Sequence, residues 1–466
     1  MPGIELLSPD LLTDIMLRAS ESIDEKFTVS QVSQLWRNTA LDTPLLWTSL
    51  KGYTTLDCHR VPLMLGRTGS TAMLHIDFIF GLATSSDRRA LGALVPYVAR
   101  IESLYLNVER SGSVELASLL DSHLEFPALN TLRLYGSHAT PLSLSAPQLQ
   151  SLEIDYFDMK SWDTVLVPSL EKISIWDVMG AGTELFSDIL MRCPRAWSIT
   201  FISNPTRDYN PDRDLHELFA RRHLAPTLRE LNLHLRELES VLKIGFCDTD
   251  LESLTGWVYN GEHESDFALL LDVMFPGVGP LVICDYLDSD SQQIKFHDDS
   301  GRIRRLKCYN EDSDIGLDAV WTYLSIHHDL HKTVRELRIP TWPNWSEYLD
   351  AFELYPPAQE SITLIIDVSL GGWGEPDYDE PDWWTSRKLR ISGLRKIEVI
   401  GSWTLVLISE VLGRIELPGS RKIEVCVSGE TPEGVDSLSL GLSALQRALT
   451  ELAENWVLCA HCIATA

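Results

Sequence analysis

The chain has 466 residues, 44% hydrophobic and 23% charged, the composition of an ordinary folded protein rather than a disordered or fibrous one. Acidic residues outnumber basic ones 67 to 39, for a formal charge of −28, and such a surface repels phosphate backbones and anionic lipid, so neither nucleic acid nor membrane is expected as a partner. The longest apolar runs are broken early, Leu269–Ile283 by Asp272 and two prolines and Leu405–Leu412 by Glu410, which leaves nothing long enough to span a bilayer.

Glu5 and Asp10 bracket the first leucines, so the N-terminus lacks the basic flank and apolar core of a signal peptide. The eight cysteines are scattered; reduced thiols and a cytoplasmic or nuclear location are the expectation.

Ser8-Pro9-Asp10 reads as a helix start: serine accepts from an early N–H, proline fits the first turn, and aspartate suits the positive dipole end. Leu11, Leu12, Ile15 and Met16 then recur at helical spacing and predict one apolar stripe. A second helix is predicted from about Phe27 to Ala40, with Val29, Val32, Leu35, Trp36 and Ala40 near one face. Thr43-Pro44 ends it, because proline disfavours helix at the preceding residue, and Leu45, Leu46 and Trp47 follow. Two or three short helices bury too little to stand alone. Their spare apolar face calls for a neighbour, either a docked subunit or, as a helical cap, the following domain.

These segments resemble the F-box motif. Its leucine-proline-x-acid-leucine-leucine-x-x-isoleucine element is matched by Leu7-Ser8-Pro9-Asp10-Leu11-Leu12-Thr13-Asp14-Ile15, with Ser8 in the place of the usual proline. Its valine-serine-x-x-tryptophan-arginine and proline-x-leucine-tryptophan elements are matched by Val32–Arg37 and Pro44–Trp47. The segment Met64–Ile76, with Arg67-Thr68-Gly69 at its centre, resembles the helix, turn and strand that follow the F-box in large fungal families. The resemblance implies docking on a Skp-type adaptor of a cullin–RING ubiquitin ligase, with Leu7, Leu11, Leu12, Ile15, Val32, Trp36, Pro44 and Trp47 as the anchors.

From about residue 100 a phrase recurs: an apolar residue, two polar residues, then two apolar residues flanking a polar one. Copies begin at Ile101, Leu129, Leu149, Leu170, Leu228, Ile303, Val334 and Leu394. Centres at 104, 132, 152 and 173 match the ~20–29 residue period of leucine-rich repeats. Wider gaps, 173 to 231 and 337 to 397, imply lost copies or insertions. Short helical patterns at Glu115–Leu120, Glu184–Met191, Leu215–Arg221, Phe267–Met274 and Asp318–Ser325 lie between the strands and predict a right-handed α/β solenoid. The repeated leucines are core. Asn107, Glu109, Tyr135, Asp155, Trp176, His234 and Tyr309, on or just beyond the strands, are the candidate target-binding residues. Val435–Val457 carries leucines and Trp456 at helical intervals and predicts a capping helix.

Chemical motifs are sparse. Gly371-Gly372-Trp373-Gly374 lacks the lysine of a phosphate loop, and Glu375–Asp382 reads as a solvated acidic loop or a site for a basic segment. His327 and His331 lack the glutamate of a zinc-protease helix; Cys459-Ala460-His461-Cys462 lacks the further ligands of a zinc site. No cofactor, metal or catalytic role is expected.

The sequence thus predicts an α/β chain: a three-helix F-box at 1–50, a connecting segment at 51–99, an irregular leucine-rich-repeat-like solenoid at 100–430 and a capping helix and tail at 431–466. The expected function is target recognition for a ubiquitin ligase, with a ligase-independent interaction scaffold as the alternative.

Overall fold

Each copy of the repeated phrase folds as a strand. The computed structural model describes residues 7–52, 54–80, 85–108, 125–136, 144–157, 159, 161–178, 182–203, 227–234, 251–258, 271, 274, 281–288, 291–298, 301–309, 317–340, 354, 356, 362–367, 389–391, 394–400, 412, 415–416, 422–428, 446 and 456–459. The fold is mixed α/β, dominated by parallel strands, and divides into two units, Met1–Asn232 and Leu233–Ala466.

The first unit opens with α1 (Pro9–Ala19), whose cap is Ser8: its Oγ accepts from the Leu11 N–H at 3.3 Å. The single helix expected over Phe27–Ala40 is instead two, α2 (Ile23–Val29) and α3 (Gln34–Leu41). Serine chemistry explains the difference. Ser22 and Glu25 form a reciprocal capping box that starts α2 ahead of the expected start at Phe27, while Ser33 accepts from the Trp36 N–H and restarts the helix as α3. Serine side chains compete with helical backbone bonds and favour such breaks.

A 3-10 turn, Pro44–Trp47, leads into β1 (Ser49–Gly52), α4 (Thr55–Leu65), β2 (Leu74–Phe80), α5 (Ser85–Leu94) and β3 (Ile101–Val108). Then come β4 (Thr131–Gly136), β5 (Ser151–Asp155), β6 (Lys172–Val178), α6 (Gly182–Arg192), β7 (Ser198–Ser203) and β8 (Glu230–His234). Strands β1 to β7 pair in chain order, all parallel. The expected boundary at residue 50 therefore falls inside β1.

Register explains the core. Leu104, Leu132, Leu152, Ile173 and Ile199 lie directly opposite one another on successive strands, as do Leu106, Leu134, Ile154, Ile175 and Phe201, and all are buried. Phe186 of α6 packs its ring 5.6 Å from Phe201. The unexpected strand β7 fills the gap between 173 and 231; Ala196 stands, fully buried, where the other copies have leucine, isoleucine or valine, which hides the phrase.

The second unit contains β9 (Ser253–Val258), β10 (Leu281–Asp288), β11 (Ser291–Asp298), β12 (Ile303–Tyr309), α7 (Leu317–His327), α8 (Leu330–Thr333), β13 (Val334–Pro340) and β14 (Ile362–Asp367). It continues with β15 (Leu389–Arg390), β16 (Leu394–Ile400), β17 (Ile415–Glu416), β18 (Ile423–Ser428) and β19 (Trp456–Leu458). Here chain order breaks: β12 pairs with β9 and β10 with β13, both parallel, and β11 runs antiparallel between β10 and β12. The connections of two and four residues at 289–290 and 299–302 are far too short for a parallel crossover, which needs a dozen or more. From β13 onward β14, β16, β18 and β19 add in parallel, and β14 fills the second wide gap. Trp456, expected as the end of a capping helix, lies in β19 against Ile423; its segment extends a sheet edge.

Candidate protein-binding surfaces

Two surfaces collect residues singled out by the sequence. The first is the N-terminal helix cluster. Its core holds Leu12, Met16, Ile23, Ala40, Leu46 and Trp47, all buried, so Leu12 and Trp47, expected as adaptor anchors, serve the chain's own packing. The Trp47 indole N–H donates to the Ala40 carbonyl at 2.7 Å, and its ring meets Phe27 edge-on at 5.8 Å. Leu11 is 48% exposed, Val32 55% and Leu45 62%; Pro44 is exposed too. Leu7, Ile15 and Trp36 are half-buried, and the Trp36 indole N–H meets no acceptor among the described residues. Leu11 and Ile15 share one side of α1, four residues apart, and Leu7 precedes its Ser8 cap. Leu17 and Leu41 are further exposed leucines of the cluster.

This cluster is fastened to the sheet that follows. Arg67 lies 4.5 Å over the Trp47 ring and 5.2 Å over Phe27, with burial holding its guanidinium below the ordinary range. Arg100, just before β3, donates to the carbonyls of Gly69 at 2.7 Å and Ala72 at 2.8 Å. Gly69 has φ +68 and sits against Pro44, a backbone state that costs a side-chain-bearing residue. Beneath the cluster Lys26 is buried and donates to the Ser49 carbonyl. Burial, with Lys51 nearby, draws its ammonium down to about 8.

The second surface is the face of β3 to β7 opposite the leucines. Asn107, Tyr135, Asp155 and Trp176, four of the expected target-binding residues, stand directly opposite one another on adjacent strands. The neighbouring row runs Tyr105, Arg133, Glu153, Ser174 and Thr200. Apart from exposed Arg133, these side chains are half-buried. Tyr105 and Tyr135 pack at 5.4 Å. The Tyr135 hydroxyl donates to Glu153, whose carboxylate also takes Arg133 Nε at 3.2 Å; burial and that carboxylate push the phenol well above its ordinary range. The Trp176 indole N–H donates to Ser174 Oγ at 2.6 Å. Tyr156, which the sequence reading missed, follows β5 with φ 58 and 49% exposure.

The remaining expected positions separate from this row. His234 is fully buried in β8, so it is core rather than surface, although it alternates with Leu233 along the strand. Tyr309 ends β12. Glu109, the loop Glu375–Asp382 and Cys462 lie outside the described residues. His327 closes α7 and stacks on Tyr323 at 4.3 Å, while Asp329, with φ 51, separates it from the helical turn holding His331. Among the described residues no group of three or more histidine, cysteine or acidic side chains is placed to hold a metal ion, and no helix is long and apolar enough to cross a membrane.

No family model matches the chain, and no curated protein matches it.

Proposed function

We propose that this chain is the substrate-recognition subunit of an SCF-type cullin–RING ubiquitin ligase: its opening helices form an F-box that docks on a Skp-type adaptor, and its strands form an irregular leucine-rich-repeat-like solenoid that holds a target protein. The observation that carries this reading is the uncovered flank of the helix cluster. Leu11, Val32 and Leu45 are 48%, 55% and 62% exposed although Arg67 already ties the cluster to the turn before β2. Large apolar groups therefore stay partly in water, and covering the exposed half of each is worth roughly 1 kcal/mol to a partner that fits. The ordered F-box motif residues add to this. The chain performs no bond chemistry; it acts by proximity, raising the target's effective concentration beside the ubiquitin-charged enzyme.

The test is co-purification of the full chain with a Skp-type adaptor. The wild type is expected to bind, and the triple variant Leu11→Asp, Val32→Asp, Leu45→Asp to lose at least a hundredfold in affinity while keeping its circular dichroism spectrum. A wild-type chain that ignores the adaptor leaves the ligase-independent scaffold as the better description.

A further inference from the structure

Three consecutive strands place an aromatic, a carboxylate and an aromatic side by side: Tyr135 opposite Asp155, and Asp155 opposite Trp176. Neighbouring strands lie about 4.8 Å apart, so Tyr135 and Trp176 stand roughly 10 Å apart with the carboxylate between them. A flat cation packed on both rings at about 3.5–4 Å from each needs roughly 7–8 Å, within the roughly 10 Å that two strand spacings put between the two backbones.

Both rings are held by their polar tips. Tyr135 is tied to Glu153, and Trp176 to Ser174 at 2.6 Å, so neither must be ordered when a ligand arrives. Tyr105, 5.4 Å from Tyr135, and exposed Tyr156 widen the aromatic floor. Arg133 is committed to Glu153 at 3.2 Å. Asp155 interacts within the chain as well, and a carboxylate's several acceptor positions leave capacity for a second donor.

We propose that the Tyr135–Asp155–Trp176 row receives an arginine side chain from a basic segment of the target. Arginine fits better than lysine, because its planar guanidinium stacks on aromatic faces and forks onto a carboxylate, whereas an ammonium is a strongly hydrated point charge. The chain's net charge of −28 draws such a segment in from a distance. The inference rests on the reading that this strand face meets the target, and it is separable from adaptor docking.

The experiment titrates the full chain with capped hexa-arginine and hexalysine peptides at physiological salt, followed by calorimetry. The expected result is that hexa-arginine binds at least fivefold tighter than hexalysine. Trp176→Ala should weaken hexa-arginine at least tenfold and Asp155→Asn at least fivefold. Thermal unfolding of each variant checks the fold; Asp155→Asn carries the test if Trp176→Ala is destabilised. Equal affinity for the two peptides, or binding untouched by Asp155→Asn, would reduce the effect to general attraction by an acidic chain and overturn the proposal. Adaptor co-purification of Trp176→Ala is expected to equal wild type, which keeps a failure here distinct from failure of the ligase reading.

Discussion

The strands of the two units use the same phrase for their cores and carry different chemistry on the opposite face. In the first unit β3 to β6 present Tyr105, Tyr135 and Trp176 among paired charges. In the second, β11 and β12 set Lys295 opposite Arg305 and Gln293 opposite Lys307; Arg305 donates to Ser253 Oγ at 2.9 Å and Lys307 lies 4.6 Å over the Trp257 ring. The buried rows are interchangeable because stacking asks only for apolar volume. The polar rows face no such constraint, so they are where the two units diverge. Topology diverges as well: the first unit adds strands in order, whereas two short loops fold β10 to β12 back on themselves.

Glycine positions sharpen the contrast between tightly and loosely built strand ends. In the first unit Gly136 ends β4 with φ +116, and a Cβ there would lie 1.8 Å from the Val108 carbonyl oxygen. Gly136→Ala must therefore push two paired strands apart. We expect a loss of about 4 kcal/mol or more, read as a lower urea midpoint for the transition of that unit; a loss under about 1 kcal/mol would mean the strand ends are not held together.

The next largest effect is pH-dependent and belongs to the first unit. Lys26 has a folded value of about 8 against about 10.4 in an unfolded chain. Between these values the unfolded state binds more protons, so this group's contribution to stability rises with pH, by up to about 3 kcal/mol. Cys193 acts oppositely: burial pushes its thiol up to about 12, above its unfolded value of about 8.5, so its contribution is lost as pH rises through that window. Lys26→Met removes only the rising part. Its stability, measured by denaturant unfolding from pH 7.5 to 10, should therefore fall relative to wild type as pH increases, and parallel curves would contradict a buried, charged Lys26.

The smallest effect is in the second unit. Gly301 precedes β12 with φ +80 but open space where a Cβ would go. Gly301→Ala should cost only the backbone strain, about 1–2 kcal/mol. A loss as large as that of Gly136→Ala would erase the distinction between the two strand ends.

Much of this fold is legible in the sequence alone. The strand phrase located β3, β4, β5, β6, β8, β12, β13 and β16, because alternating apolar residues fix which face is buried. It does not reveal β7, where Ala196 replaces the large leading aliphatic residue, or β11, whose antiparallel course has no counterpart in a parallel repeat. Four of the candidate target-binding residues fell on one row because the copies share a register. His234 did not join them, since alternation says which residues point away from the leucines but not whether something else covers them.

The apolar pattern, the cap at Ser8 and the acidic charge are legible in the sequence alone, since these depend on residue types and on residues close together in the chain. That Leu12 and Trp47 are core while Leu11, Val32 and Leu45 face water, and that Tyr135, Asp155 and Trp176 stand abreast, follows from packing. Exposure and adjacency of distant residues depend on how strands and helices close over one another, and that closure is a property of the packed chain.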